Sequence, residues 1–225
     1  MDSKKIVDAQ LNAYRANFLE HGDSPKGTFW NDKETQYLRY ERVIRQFDLK
    51  HHHYSVHDIG CGMCDMHQYL LNQKIKHTYV GSEIVPEMIE ASQKKFPYLQ
   101  IHDKNILLDT DIPVCDLVVL SGTFNLPGAV SQDEWKQFAF DLIKRMFEIS
   151  RLGVSFNMLT SHRTFTDPTL AYFDPSEVFD FCIKNLTRFI KLDHAYPLYE
   201  YTITLFHKEF ARTQYPDAAF DKYFK

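Results

Sequence analysis

The chain has 225 residues, 44% of them hydrophobic and 25% charged, with a net charge of −4. That length can bury one domain's core, and the composition excludes a disordered, collagenous or linker-type chain. Lys and Arg form no long run, so a nucleic-acid partner is not expected. No stretch approaches the ~20 apolar residues of a membrane span, and MDSKKIVDAQ has no signal-peptide core.

Residues 3–20 carry apolar side chains at helical spacing, among them Ile6, Ala9, Ala13 and Phe18. Gly, Ser and Pro over 21–27 stop that helix, and a second is predicted over 32–47. Residues 1–50 are therefore expected to form a helical cap or lid without a strand. From residue 51 the pattern changes. Strands are predicted at 54–59, 78–82, 98–102, 115–121 and 153–157, with helices at 65–72, 86–95 and 131–150. Pro86 suits a first helical turn, and Ser131 with Glu134 has capping-box spacing. Strand–helix alternation predicts α/β with a parallel sheet. After a helix at 175–184, strands at 188–192 and 199–207 are close in sequence, which favours an antiparallel pair. The main domain is expected over 51–210, with a frayed or surface-packed tail at 211–225.

The informative segment is HDIGCGMCD, His57 to Asp65. A strand runs into Gly60-Cys61-Gly62 and a helix follows. Such a turn lets a ligand approach the backbone and meet helix N–H groups. Asp58 stands two residues before Gly60, and Glu83 follows the second strand, 21 residues after Gly62. An acid at that place can accept hydrogen bonds from ribose hydroxyls.

HDIGCGMCD, YVGSEIVPEMIEAS, IHDKNIL and CDLVVLSGTFNL together resemble the successive motifs of class I S-adenosylmethionine-dependent methyltransferases, small-molecule branch. The resemblance covers about residues 54–160. It implies a Rossmann-like, mostly parallel sheet of seven strands in the order 3-2-1-4-5-7-6, strand 7 antiparallel, with helices on both faces. It implies S-adenosyl-L-methionine as cofactor and S-adenosyl-L-homocysteine as product. Carried over, Gly60 and Gly62 shape the cofactor turn, Asp58 supports the loop or the methionine ammonium, and Glu83 binds the ribose. Ile84 and Ile106 pack on the adenine, Asn105 (or Asp103) reads its amino group, and Ser121 and Gly122 line the methionine end. Cys64 stands where the family often has a third glycine.

Other readings of the turn are weaker. A dinucleotide fingerprint needs a glycine where Asp65 stands, and Asp58 would face an anionic pyrophosphate. His57, Cys61, Cys64 and His67 superficially suit zinc, but they fall on a strand, a turn and a helix start, so no metal is expected. Cys61 and Cys64 also form a CxxC pair. Four cysteines are too few for a disulfide framework, which favours the cytoplasm.

A small-molecule substrate is expected. Its candidate contacts are Tyr14, Trp30, Phe124, Asn125, Asn157 and Tyr172, and Arg39 could pair with a methionine carboxylate or an acidic substrate. If the acceptor needs a base, His162, His194 and Tyr196 are the candidates. Two alternatives stand beside this reading. One is a cofactor-binding protein that has lost catalysis, suggested by Cys64. The other is a protein or RNA methyltransferase, which the net charge disfavours.

Overall fold

The most apolar segments are central strands, because both of their faces are covered. A computed structural model describes residues 3–30 and 32–224. It contains β1 (Tyr54–Ile59), β2 (His77–Glu83), β3 (Gln100–Asp103), β4 (Cys115–Leu120), β5 (Ser150–Leu159), β6 (Ile190–Asp193) and β7 (Glu200–Phe206). They form one sheet in the order β3-β2-β1-β4-β5-β7-β6, parallel except for β7, which runs antiparallel to β5 and β6. This is the order expected from the sequence resemblance.

Helices cover both faces. On one, α2 (Lys33–Ile44) and α3 (Asp65–Asn72) bury Tyr40, Val43, Met66 and Leu70 against Val56, Leu117 and Phe206. On the other, α5 (Gln132–Glu148) and α6 (Pro175–Asn185) bury Trp135, Phe138 and Cys182 against Val118, Phe156 and Tyr201. α1 (Ser3–His21) joins the layers across the carboxyl ends of the strands. Its first turns bury Ile6 and Val7 with Trp135 and Phe138. Its last turns bury Phe18 with Met63 and with Met88 of α4 (Pro86–Lys95). The N-terminal segment thus divides: α1 lies over the sheet's end, and α2 is part of a helical layer.

The termini of several elements shift. β2 continues to Glu83, so Gly81 is inside the strand rather than at its end. A β-carbon there would come 2.6 Å from the Cys61 sulfur, so the glycine leaves room for that thiol. β3 starts at Gln100, two residues later than expected, and Tyr98 is exposed. β5 is longer at both ends: β4 pairs with it at Ser150, and β7 pairs with it as far as Leu159. The tail is surface-packed: after α7 (Lys208–Thr213), Phe224 stacks on Phe189 and Arg212 pairs with Asp221. Among the described residues no helix is long and apolar enough to cross a membrane.

Trp135 is the largest wholly buried side chain. It stacks on Phe138 and donates from Nε1 to the Phe124 carbonyl at 3.0 Å. Trp135→Ala is expected to cost about 3–5 kcal/mol. Urea denaturation should show a clearly lower midpoint, and an unchanged midpoint would contradict this packing.

Candidate functional site

Three residues of the turn after β1 take left-handed backbone conformations: Gly60 at φ +69, Gly62 at φ +52 and Cys64 at φ +57. The first two are free to do so. Cys64 is not, and an L-residue there costs about 1 kcal/mol. The third position therefore has the geometry a glycine would favour, and a small buried cysteine fills it, with its sulfur 3.9 Å from that of Cys61.

Glu83 ties this turn to the end of β2. Its Oε2 accepts from the Gly62 N–H at 2.8 Å, and its Oε1 accepts from Ile84 at 2.7 Å and Val85 at 3.1 Å. Asp58 is buried in the same region and accepts from the Tyr79 hydroxyl at 2.6 Å. Burial raises the pKa of both acids, and three N–H donors counter the rise at Glu83. Asp58 lacks such donors. Burial, aided by the charge of Glu83, pushes it up to about 7 against a partly opposing bond from Tyr79.

Two recesses meet here, sharing Tyr14, Gly60, Glu83 and Thr123. The smaller, about 80 Å³, is lined by Ile84, Asn105, Ile106 and Gln10. Asn105 Oδ1 already accepts from the Leu107 N–H at 2.9 Å, because that turn needs a cap, so its carbonyl is engaged and its amide nitrogen is the group left over. Asp103 is exposed and does not line the recess. The larger cleft, about 750 Å³, contains Asp58, Cys61, Gly62, Ser121, Gly122, Asn125, Trp30 and Arg39. Ser121 Oγ and Asn125 Oδ1 are buried there without a protein partner. Burial and the nearby Glu83 charge raise the pKa of the Tyr14 hydroxyl well above its ordinary value.

Glu200, at the start of β7, was not among the sequence candidates. Its nearly buried carboxylate takes both oxygens' bonds from Arg39 Nε, at 2.8 and 2.9 Å, and a further one from Arg39 Nη2. Asn157 Nδ2 donates to it at 2.6 Å, and Asn157 Oδ1 accepts from the Gly122 N–H at 3.3 Å. Arg39 also lies 4.7 Å over the Trp30 ring, and that ring occupies the space a β-carbon at Gly122 would need, 2.7 Å away. A lone acid at the head of the alternating strand Tyr201, Ile203, Leu205 was the available signal for Glu200.

Several expected site residues sit elsewhere. Phe124 is wholly buried against Phe156 and Phe173, so it is core rather than a substrate wall. Asn157 is wholly buried beneath the cleft, as the link between Gly122 and Glu200. Tyr172 lies outside the cleft lining, with its hydroxyl accepting from the Asp167 N–H and Arg163 stacked on its ring. His162 and His194 are exposed, 6.4 Å apart and outside the cleft lining, because they sit on loops beyond the ends of β5 and β6. Tyr196 is buried under Arg42, its hydroxyl bonded to Thr202, and burial raises its pKa well out of the range of a base. Arg39 reaches the cleft but is bound to Glu200 rather than free for an acidic ligand. Of the residues considered for zinc, His57 bonds to Ser82 at 2.7 Å and His67 to His77 at 2.8 Å.

No family model matches the chain. A Mycobacterium tuberculosis protein named "Putative methyltransferase Rv1506c" is 32% identical over 152 residues, covering 67% of this chain and 91% of that protein. Among solved structures, the Burkholderia thailandensis 1,6-didemethyltoxoflavin-N1-methyltransferase, with its substrate and S-adenosylhomocysteine bound, aligns with TM-score 0.64 at 12% identity. It covers 92% of this chain and 90% of that one. The DhpI complex with S-adenosylhomocysteine aligns with TM-score 0.61 at 16% identity, covering 88% and 95%.

Two outcomes follow from the buried charges. Asp58 binds its proton up to about pH 7 in the fold but only to the ordinary 3.8 when unfolded. The native state therefore holds more protons between those values, and this contribution to stability falls as pH rises through the window. Thermal melts at pH 5 and pH 8 should show wild type losing more stability on going to pH 8 than Asp58→Asn; equal losses would contradict the shift. Arg39→Met should cost about 3–5 kcal/mol by denaturant unfolding, because it leaves Glu200 charged and buried. Arg39→Met with Glu200→Leu should recover much of that. A double variant as unstable as the single one would count against the pairing.

Proposed function

This chain belongs to the class I S-adenosylmethionine-dependent methyltransferases, and on that premise we propose that it moves a methyl group to a nucleophilic atom of a small organic molecule by in-line displacement. The observation that carries this reading is the Glu83 carboxylate, held by Gly62, Ile84 and Val85 at the point where the two recesses meet.

The residues present fit the cofactor in three parts. Ile84 and Ile106 line the small recess and would sandwich the adenine, with the Asn105 amide at its edge. Glu83 retains lone pairs for the ribose hydroxyls after its three backbone bonds. Asp58, Ser121 and the Gly122 backbone line the large cleft beside the turn, where the methionine tail would lie. When bound, S-adenosylmethionine supplies an electrophilic methyl on a sulfonium.

The chain's own part is positioning and exclusion of water. Trp30, seated on Gly122 and clamped by Arg39, walls the cleft over the strand-4 turn. Within the N-terminal segment, α1 and residues 25–30 thus act as the cap, while α2 belongs to the helical layer. Asn157 and Glu200 hold the Gly122 backbone and the Arg39 guanidinium in fixed relation, so they are positioning residues rather than groups that touch substrate. The four free cysteines fit a reducing, cytoplasmic location.

Isothermal titration of S-adenosylhomocysteine tests the reading. Wild type should bind, and Glu83→Gln should weaken the affinity at least about tenfold, since one charge-assisted contact to the ribose is lost. Unchanged affinity in the variant would refute the ribose role, and no binding to wild type would refute the cofactor.

A further inference from the structure

The sheet order places the ends of β5 and β7 on the far side of β4 from β1 and β2. Cleft residues from those far strands and their loops therefore form a half distinct from the cofactor turn. That half is walled by Leu159, Phe165, Leu170, Leu198 and Tyr199, with Asp167 among them.

Its polar inventory is one-sided. Arg39 is the only Lys or Arg among the described residues that line the large cleft, and Glu200 occupies its guanidinium. Asp167 carries the unneutralised charge. Its Oδ1 accepts from the Thr169 N–H at 2.8 Å and from the Thr169 hydroxyl at 2.6 Å. Those bonds hold its carboxyl below the ordinary range, with no cationic side chain contributing. Asn125, in the turn that follows Gly122, adds a buried amide oxygen without a donor. A carboxylate or phosphate entering here would meet an anion and an acceptor, and no free cation. A molecule with N–H donors and positive charge would satisfy both.

We infer that the methyl acceptor is an amine carried on an apolar or aromatic body, with Asp167 selecting its charge and Asn125 Oδ1 accepting from its N–H. The inference rests on the methyltransferase reading above and names that site's substrate class. The bound ammonium first gives a proton to water, and the neutral nitrogen then donates its lone pair to the methyl carbon as the carbon–sulfur bond breaks and its electron pair stays on sulfur. The positive charge passes from sulfur to nitrogen, and a proton then leaves the product ammonium to water. No step needs a protein base at His162, His194 or Tyr196. An acidic wall suits a reaction in which positive charge relocates and is not cancelled.

The test uses the full chain saturated with S-adenosylhomocysteine and two matched pairs: tryptamine against indole-3-acetate, and 2-phenylethylamine against phenylacetate. Calorimetric titration should show the amines binding at least about tenfold more tightly than the acids. Asp167→Asn should bring each pair to within about twofold while S-adenosylhomocysteine affinity stays as in wild type. Acids binding as well as amines, neither class binding, or a preference that survives in Asp167→Asn would overturn the proposal. Failure of S-adenosylhomocysteine to bind wild type is a separate readout, and it would overturn the underlying reading instead. The wild-type comparison of amines with acids holds even where the variant loses its fold.

Discussion

Two carboxylates are buried together at the ends of adjacent parallel strands, and much of the site follows from how each is held. Glu83 is surrounded by backbone N–H groups of its own strand end and of the glycine turn, so its burial also fixes the turn. Asp58 is left with one tyrosine hydroxyl. In a low-dielectric setting the less solvated acid is the one that keeps a proton, and Asp58 does so up to about pH 7. An arriving cation would reverse that balance. Positive charge is thus favoured beside Asp58 at one end of the cleft, and Asp167 is the acid at its far end.

The second constraint is the pair formed by Arg39 and Glu200. It joins a helix near the N-terminus to the last long strand and, through Asn157, to the Gly122 backbone. Trp30 is held in the same assembly by its stacking under Arg39 and its seat on Gly122. The aromatics divide between two tasks. Trp135, Phe138, Phe156 and Tyr201 fill the core behind the sheet, while Trp30, Phe165 and Tyr199 line the cleft.

What could be read in advance had local causes. The glycine turn, the acid at the end of the second strand and the alternation of strands with helices are each set by neighbours in sequence, although Glu83 closes β2 and does not follow it. Sheet order came from the resemblance of those motifs to a family, because no local pattern specifies which strands become neighbours. Residues whose roles depend on distant partners were misjudged or missed. Phe124 comes just after the strand-4 glycine, a position typical of ligand contacts, but Phe156 and Phe173 enclose it. Arg39 reads as a free cation until Glu200, 161 residues away, is brought to it. Asp167 lies in a loop with no motif, and only the return of the chain around the cleft gives it a role. At Cys64 the sequence raised a question about backbone conformation that the positive φ answers: a cysteine takes the left-handed geometry that a glycine would favour.

The most direct test of the account is a crystal structure of the chain soaked with S-adenosylhomocysteine. The account predicts the ribose hydroxyls on the Glu83 carboxylate, the adenine between Ile84 and Ile106, and the amino-acid tail beside Asp58 and Gly122. A ligand bound elsewhere, or one whose ribose lies away from Glu83, would contradict it.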